Sequence, residues 1–320
     1  MNQEATIQDQ GAPMEDPAQL KRRMKWTFSQ LGWAAFALMA LTQAAAGVLA
    51  AVLMMAAPQL LANPWVTWLL SYLPLYLVAF PIFALMLKKV PAQQPQGGAA
   101  SLGTGTMVKL VFLCLGLTYA LNYVSLGINA IIGLIKGAPV INPLAEIATE
   151  PFSTFLFAGL VAPIMEEIVF RRMILNRLVP FGETYAVYGS ALLFALFHAN
   201  LSQLLYAFVL GIIFAQVTLR TGGIRATTIL HIVINGVGSV LIPSLHGLLP
   251  EKAGMLVIYL LTVVLMAVGL VMWRVLPRDR LAPASQPMTP KEKRRIFLVN
   301  PGMIAYQVLI AALIVMVILV

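Results

Sequence analysis

Three short stretches of this 320-residue chain place ionisable side chains among apolar neighbours. They are Glu166-Glu167-Ile168-Val169-Phe170-Arg171, Phe194-Ala195-Leu196-Phe197-His198 and His231-Ile232-Val233-Ile234-Asn235. The chain has three histidines, and two of them lie in these stretches. Carboxylates and imidazoles accept and return protons, and both can hold a metal ion. Charge inside an apolar span is costly, so its default reading is functional. The chemistry open to such groups is hydrolysis by an activated water, with or without a metal, or relay of protons and ions. A nucleophilic triad has no support: there is no GxSxG elbow, and the single cysteine, Cys114, has no motif partner.

The elements that must position these groups follow from composition. Apolar residues make up 60% of the chain and charged residues 10%, against about 45–50% and about 25% in an ordinary globular protein. Mean hydropathy is +0.87. So few charges cannot cover a soluble fold of this size, which excludes an aqueous enzyme. Apolar runs of about 20 residues recur along the chain and exclude disorder, collagen-like and coiled-coil rods. The expected fold is all-α, a polytopic transmembrane helix bundle of eight to nine spans. The runs fall at about 31–61, 66–87, 107–135, 152–175, 184–200, 203–219, 226–246, 253–274 and 302–320. A re-entrant turn within 184–219 is the alternative to two full spans there.

The net charge of +9 belongs to topology rather than to nucleic acid. With the N-terminus in the cytoplasm, inner loops hold Lys88, Lys89, Arg172, Arg177, Arg220, Arg225, Arg274 and the basic residues up to Arg295, while outer loops hold only Lys136 and Lys252. That satisfies the positive-inside rule and places the chain in the plasma membrane as a multi-pass protein. Residues 1–30 read as a cytoplasmic polar and basic segment. Residues 31–275 read as the bundle, with its functional core at about 152–246. A basic Pro-rich cytoplasmic linker follows over 276–301 and a C-terminal apolar span over 302–320. The partners expected are membrane lipid and a membrane-associated peptide or protein.

Depth supports one shared site. Glu166 and His198 each lie about 20 Å from the inner end of their helices, and His231 and Asn235 about 8–14 Å, at 1.5 Å per residue. Tilt lets these levels meet in a cavity opening toward the cytoplasm. Successive helix positions turn by about 100°, so Glu166 and Glu167 cannot point at one atom. Glu167 and Arg171 stand at i, i+4 with the acid first, the favoured order for a pair. This leaves Glu166 for the cavity. His231 and Asn235, also at i, i+4, share a face, and Phe194 packs one turn before His198. Pro163 removes a backbone hydrogen bond and kinks the helix. Asn122, Ser125 and Asn129 form a polar stripe that either lines the cavity or cross-bonds helices.

EEIVFR, FALFH and HIVIN resemble the EExxxR, FxxxH and HxxxN motifs of the CPBP family, the intramembrane CAAX-protease and bacteriocin-processing endopeptidases. The resemblance covers about 165–236, and the RTGGIRATTILH lead-in to His231 is similar as well. It implies an eight-helix core and catalysis by Glu166, His198, His231 and Asn235, supported by Glu167, Arg171 and Phe194. Peptide hydrolysis needs an activated water, a proton for the leaving amine and oxyanion stabilisation. Glu166 is the candidate base and His198 shares the proton transfer or orients the water. His231 and Asn235 are the candidate oxyanion donors. Glu166, His198 and His231 also make a His₂Glu set, the ligand count of a catalytic zinc site. Zinc is therefore the alternative cofactor, although HExxH spacing is missing. The leading function is an intramembrane endopeptidase acting near the cytoplasmic face by glutamate-activated water. A non-catalytic membrane scaffold or immunity-type protein is the alternative, with a transporter behind it.

Overall fold

A computed structural model describes residues 16–95, 102–276, 281 and 288–319. The polar N-terminus before Asp16, the middle of the Pro/Gln/Gly-rich linker after Val90 and most of the Pro-rich stretch after Leu276 lie outside the described residues. The described residues form ten principal helices. These are α1 Pro17–Ala56, α2 Pro64–Leu87, α3 Thr104–Lys136, α4 Pro151–Phe181, α5 Glu183–Phe197, α6 Leu201–Thr221, α7 Arg225–Leu245, α8 Glu251–Val275, α9 Pro290–Leu298 and α10 Pro301–Leu319. No strand occurs among the described residues. Eight of the helices are long and apolar enough to cross a membrane. The protein is a multi-pass helical bundle.

Two departures from the sequence expectation have clear causes. The fifth apolar run is a helix of 15 residues, about 22 Å long against a hydrocarbon core of about 30 Å. It turns back into α6 partway across instead of spanning alone. At the N-terminus, α1 starts at Pro17 rather than near Leu31, because Asp16 caps it by accepting from the Ala18 N–H and proline suits the first turn. Lys21, Arg22, Arg23 and Lys25 are competent helix formers and extend it. Within the 276–301 stretch, α9 is a basic helix whose Thr289 and Glu292 form a capping box. The backbone and hydroxyl hydrogen bonds from Thr289 hold the Glu292 carboxyl below its usual range.

Small residues let the helices close. A Cβ on Gly116 of α3 would stand 2.7 Å from the Gly269 Cα of α8. A Cβ on Gly32 of α1 or Gly302 of α10 would run into the other helix's backbone. Such close approaches supply packing where lipid offers no hydrophobic drive. Buried apolar side chains gather in two clusters, one around α1, α4, α5 and α10, the other around α3, α6, α7 and α8.

The helix ends sort into two faces of the bundle. Arg177 Nη2 donates to the Leu87 carbonyl at 2.8 Å and Gln93 N–H to the Asn176 carbonyl at 2.8 Å, joining the ends of α2 and α4. Tyr185 OH donates to the Pro290 carbonyl at 3.3 Å and brings α9 to the same, arginine-rich end. At the opposite end, Lys136 Nζ donates to the Ile318 carbonyl at 2.6 Å, and the Trp65 and Phe152 rings lie 5.8 Å apart. That end carries few cations.

Candidate active site

Helix α4 is built to be irregular where it carries the carboxylates. It is π-helical over Phe155–Val161 and again over Glu167–Leu175, with an α-helical turn Ala162–Glu166 between. Pro163 brings no N–H to that turn, and π segments with their wider turn recur at functional sites. Consecutive side chains diverge by less in a π turn than in an α turn. Glu166, the last α residue, and Glu167, the first π residue, therefore both reach one imidazole of α7.

Glu167 and Arg171 are fully buried and pair at 3.5 Å, as their spacing suggested. Glu167 also accepts from His231, with Oε1 3.1 Å from Nδ1. This second contact is absent from the i, i+4 argument. A carboxylate can only accept at this point, so Nδ1 carries the proton and Nε2 is the ring's free position. Nε2 lies 3.6 Å from Glu166 Oε2. Glu166 and Glu167 do not share an atom, but they hold opposite sides of one ring.

Aromatic side chains fix the remaining orientations. Phe194 meets His198 edge to face at 5.0 Å between centroids and His231 at 5.8 Å, so it stands against both imidazoles. Arg171 lies over the Phe194 ring at 4.3 Å and near Phe214 at 5.3 Å. Phe214 in turn packs on His231 at 5.0 Å. His198 Nδ1 donates to the Phe194 carbonyl at 3.0 Å, which leaves Nε2 as an acceptor. Asn235 donates through Nδ2 to the Ala158 carbonyl at 3.0 Å, tying α7 to the first π segment and keeping its second N–H. Asn129 of the polar stripe donates to Ser202 Oγ at 2.9 Å and cross-bonds α3 to α6. None of the three stripe residues lines the cavity.

Glu166, Phe194, His198, His231 and Asn235 line one cavity of about 260 Å³. Trp68 and Tyr72 of α2, Leu144 and Ile147 of the short helix Pro143–Ile147, and Gln203 and Tyr206 of α6 complete its wall. None of these six was singled out from the sequence. The aromatic and aliphatic ones sit in ordinary apolar patterns and carry no local signal.

Asn200 also lines the cavity and had a signal, an asparagine two residues past His198 inside an apolar run. It holds the turn between α5 and α6. Its Nδ2 donates to the His198 carbonyl and to Gln203 Oε1, both at 2.7 Å, and its Oδ1 accepts from the Gln203 N–H at 3.0 Å. Ala199 between them has φ of +49°, left-handed for a residue with a Cβ. Irregular backbone at this depth is tolerated only where protein or a wet cavity satisfies its polar groups.

The cavity lies toward one end of the bundle. Its wall draws on the start of α2, the 143–147 segment, the start of α6 and the second half of α7. Those belong to the sparsely charged end, not the arginine-rich one. The depth estimate holds in that Glu166, His198, His231 and Asn235 share one cavity.

A zinc site receives no support from the geometry. Among the described residues, no three His, Cys, Asp or Glu side chains come together to hold a metal ion. Glu166 and His231 face each other, but the His₂Glu set is not assembled, so no step is routed through a metal.

Residues 148–237 match the family of type II CAAX prenyl endopeptidases described as Rce1-like. This segment is similar to that family. It contains all of the motif residues, from Glu166 to Asn235, and bears out the resemblance carried by EEIVFR, FALFH and HIVIN. The Rce1-like region begins just before α4 and ends within α7; the remaining helices, with Trp68 and Tyr72, lie outside it. The match covers 90 of the chain's 320 residues. No curated protein and no solved structure matches it.

Proposed function

We propose that the protein is an intramembrane endopeptidase that hydrolyses a peptide bond of a membrane-associated peptide or protein, using a water activated by Glu166. One observation carries the reading. His231 Nε2 stands 3.6 Å from Glu166 Oε2 in a cavity that His198 and Asn235 also line, while Glu167 holds the other ring nitrogen.

Each group has a role in the chemistry. Water enters beside Glu166, whose carboxylate takes its proton as the oxygen attacks the scissile carbonyl carbon. His198 Nε2, an acceptor, orients that water. The second Asn235 N–H serves the developing oxyanion, while His231 Nε2, the ring's unprotonated position, faces the Glu166 carboxyl that takes up the water's proton. When the tetrahedral intermediate collapses, the C–N bond breaks and Glu166 returns its proton to the leaving amine. Glu167 and Arg171 take no part in proton transfer; they set the ring of His231 and the face of Phe194. Positioning and a preorganised site account for the rate in this scheme.

The lysine and arginine distribution supports a reading with the N-terminus in the cytoplasm of a plasma-membrane protein. Cleavage then occurs toward the face opposite the arginine-rich loops. The experiment is a comparison of membrane peptides from cells making the wild-type, Glu166→Ala or His231→Ala protein at equal levels. A fragment made only by the wild type supports the reading. If both folded variants release it at the wild-type rate, the proteolytic assignment is wrong.

A further inference from the structure

A second cavity lies apart from the one that holds Glu166. A space of about 580 Å³ opens at the arginine-rich end, between α4, α6 and α7. Among the described residues its wall includes Arg171, Arg172 and Arg225 but no Asp or Glu. Arg172 and Arg225 are exposed at its rim. Neither has a hydrogen-bond or ion-pair partner among the described residues.

The interior is polar and unsatisfied. Thr218, 1% exposed, has a hydroxyl without a hydrogen-bond partner, and so does the Nε of fully buried Arg171. Arg171 Nη2 reaches only the Gly211 carbonyl, at a long 3.4 Å. Buried donors left unmet cost free energy, and the two exposed arginines at the rim, Arg172 and Arg225, face this space without a carboxylate partner. An anion entering this space relieves both penalties. Leu102, Met107 and Ile229 give the same cavity an apolar side.

We propose that this cavity is a phosphate-binding site, filled by the head group of an anionic phospholipid from the adjoining leaflet. Arg172 and Arg225 take the phosphate at the rim, the Thr218 hydroxyl and Arg171 Nε lie behind it, and the apolar side receives the start of an acyl chain. A basic pocket between spans at the head-group level is suited to such a ligand. Arg171 also contacts Glu167, which contacts His231, so two buried side chains separate this site from the other cavity's imidazole.

The test reads binding and does not depend on any proteolytic activity. The full-length protein in detergent is titrated with phosphatidylglycerol or phosphatidylcholine and lipid adducts are counted by native mass spectrometry. The wild type is expected to retain phosphatidylglycerol at least about tenfold better. Arg172→Gln/Arg225→Gln should abolish that preference, and Thr218→Val should weaken it. Arg294→Gln, at the same end but outside the cavity, should leave it unchanged. Both arginines are exposed, and an unchanged thermal midpoint confirms that the double variant is folded. Displacement of phosphatidylglycerol by millimolar inorganic phosphate would support the phosphate site but assign its ligand to solution; resistance to it supports the lipid. Equal retention of both lipids by the wild type, or full preference in the double variant, overturns the proposal.

Discussion

Glu167 Oε1 and His231 Nδ1 meet at 3.1 Å with both side chains sealed from solvent. The bond sets the proton on Nδ1 and turns Nε2 to Glu166, so one carboxylate orients the ring while the other works beside it. Glu167→Gln keeps the shape and an acceptor oxygen but loses the charge. It should lower kcat by about 10–100-fold, the usual cost of losing a partner behind a functional histidine. Glu166→Gln should lose a further factor, since general base catalysis contributes about 10²–10⁴-fold. Steady-state cleavage in proteoliposomes checks the order. Should Glu167→Gln prove the more damaging, the two roles must be exchanged.

Arg171 is held by charge on one side and aromatic faces on the other, with no exposed surface. Arg171→Met leaves the Glu167 carboxylate buried without its cation. Breaking a buried pair in this way costs about 3–5 kcal/mol, whereas removing both charges costs much less. The thermal midpoint in detergent should therefore fall sharply for Arg171→Met and recover in part for Glu167→Met/Arg171→Met. Arg171→Lys should not restore the wild type, because an ammonium cannot spread over two rings while reaching Glu167. A double variant no more stable than Arg171→Met would remove the pair from the account of the fold.

The turn that ends α5 stores strain beside the site. Ala199 sits at φ +49°, a conformation that costs a residue with a Cβ about 1–2 kcal/mol. Ala199→Gly should raise stability or leave it unchanged, while Ala199→Val should lower it. Asn200→Ala removes a helix cap worth about 1 kcal/mol and releases the His198 carbonyl. Its expected signature is a fall in kcat larger than that small stability loss explains. Chemical unfolding beside cleavage rates separates the two effects.

Much of this arrangement is legible in the chain. EEIVFR, FALFH and HIVIN each interrupt an apolar run, and polarity inside a membrane must be partnered or used. The Glu167–Arg171 pair follows from helix spacing alone. The Glu167–His231 bond does not, because the π turn that permits it follows Pro163 through tertiary packing rather than a local pattern. The short α5 was visible only as an ambiguous stretch over 184–219, since apolarity does not say whether a run reaches the far face. Trp68 and Tyr72 come from a helix distant in sequence, where an aromatic facing a cavity looks like one facing lipid.

The face from which the cavity is reached can be settled by chemistry on intact cells. Ala145 lies in the short helix beside the cavity, at the sparsely charged end, and Arg172 lies exposed at the arginine-rich end. Cys114 is fully buried and needs only replacement by alanine to give a silent background. The positive-inside rule puts Arg172 in the cytoplasm and hence the cavity toward the opposite side. A membrane-impermeant maleimide should therefore label Ala145→Cys in intact cells and Arg172→Cys only after permeabilisation. The reverse pattern would turn the molecule over and return the cavity to the cytoplasmic side. It would also mean that the arginine distribution does not govern this chain. Labelling of both positions in intact cells would point to leakage and call for a repeat in sealed vesicles.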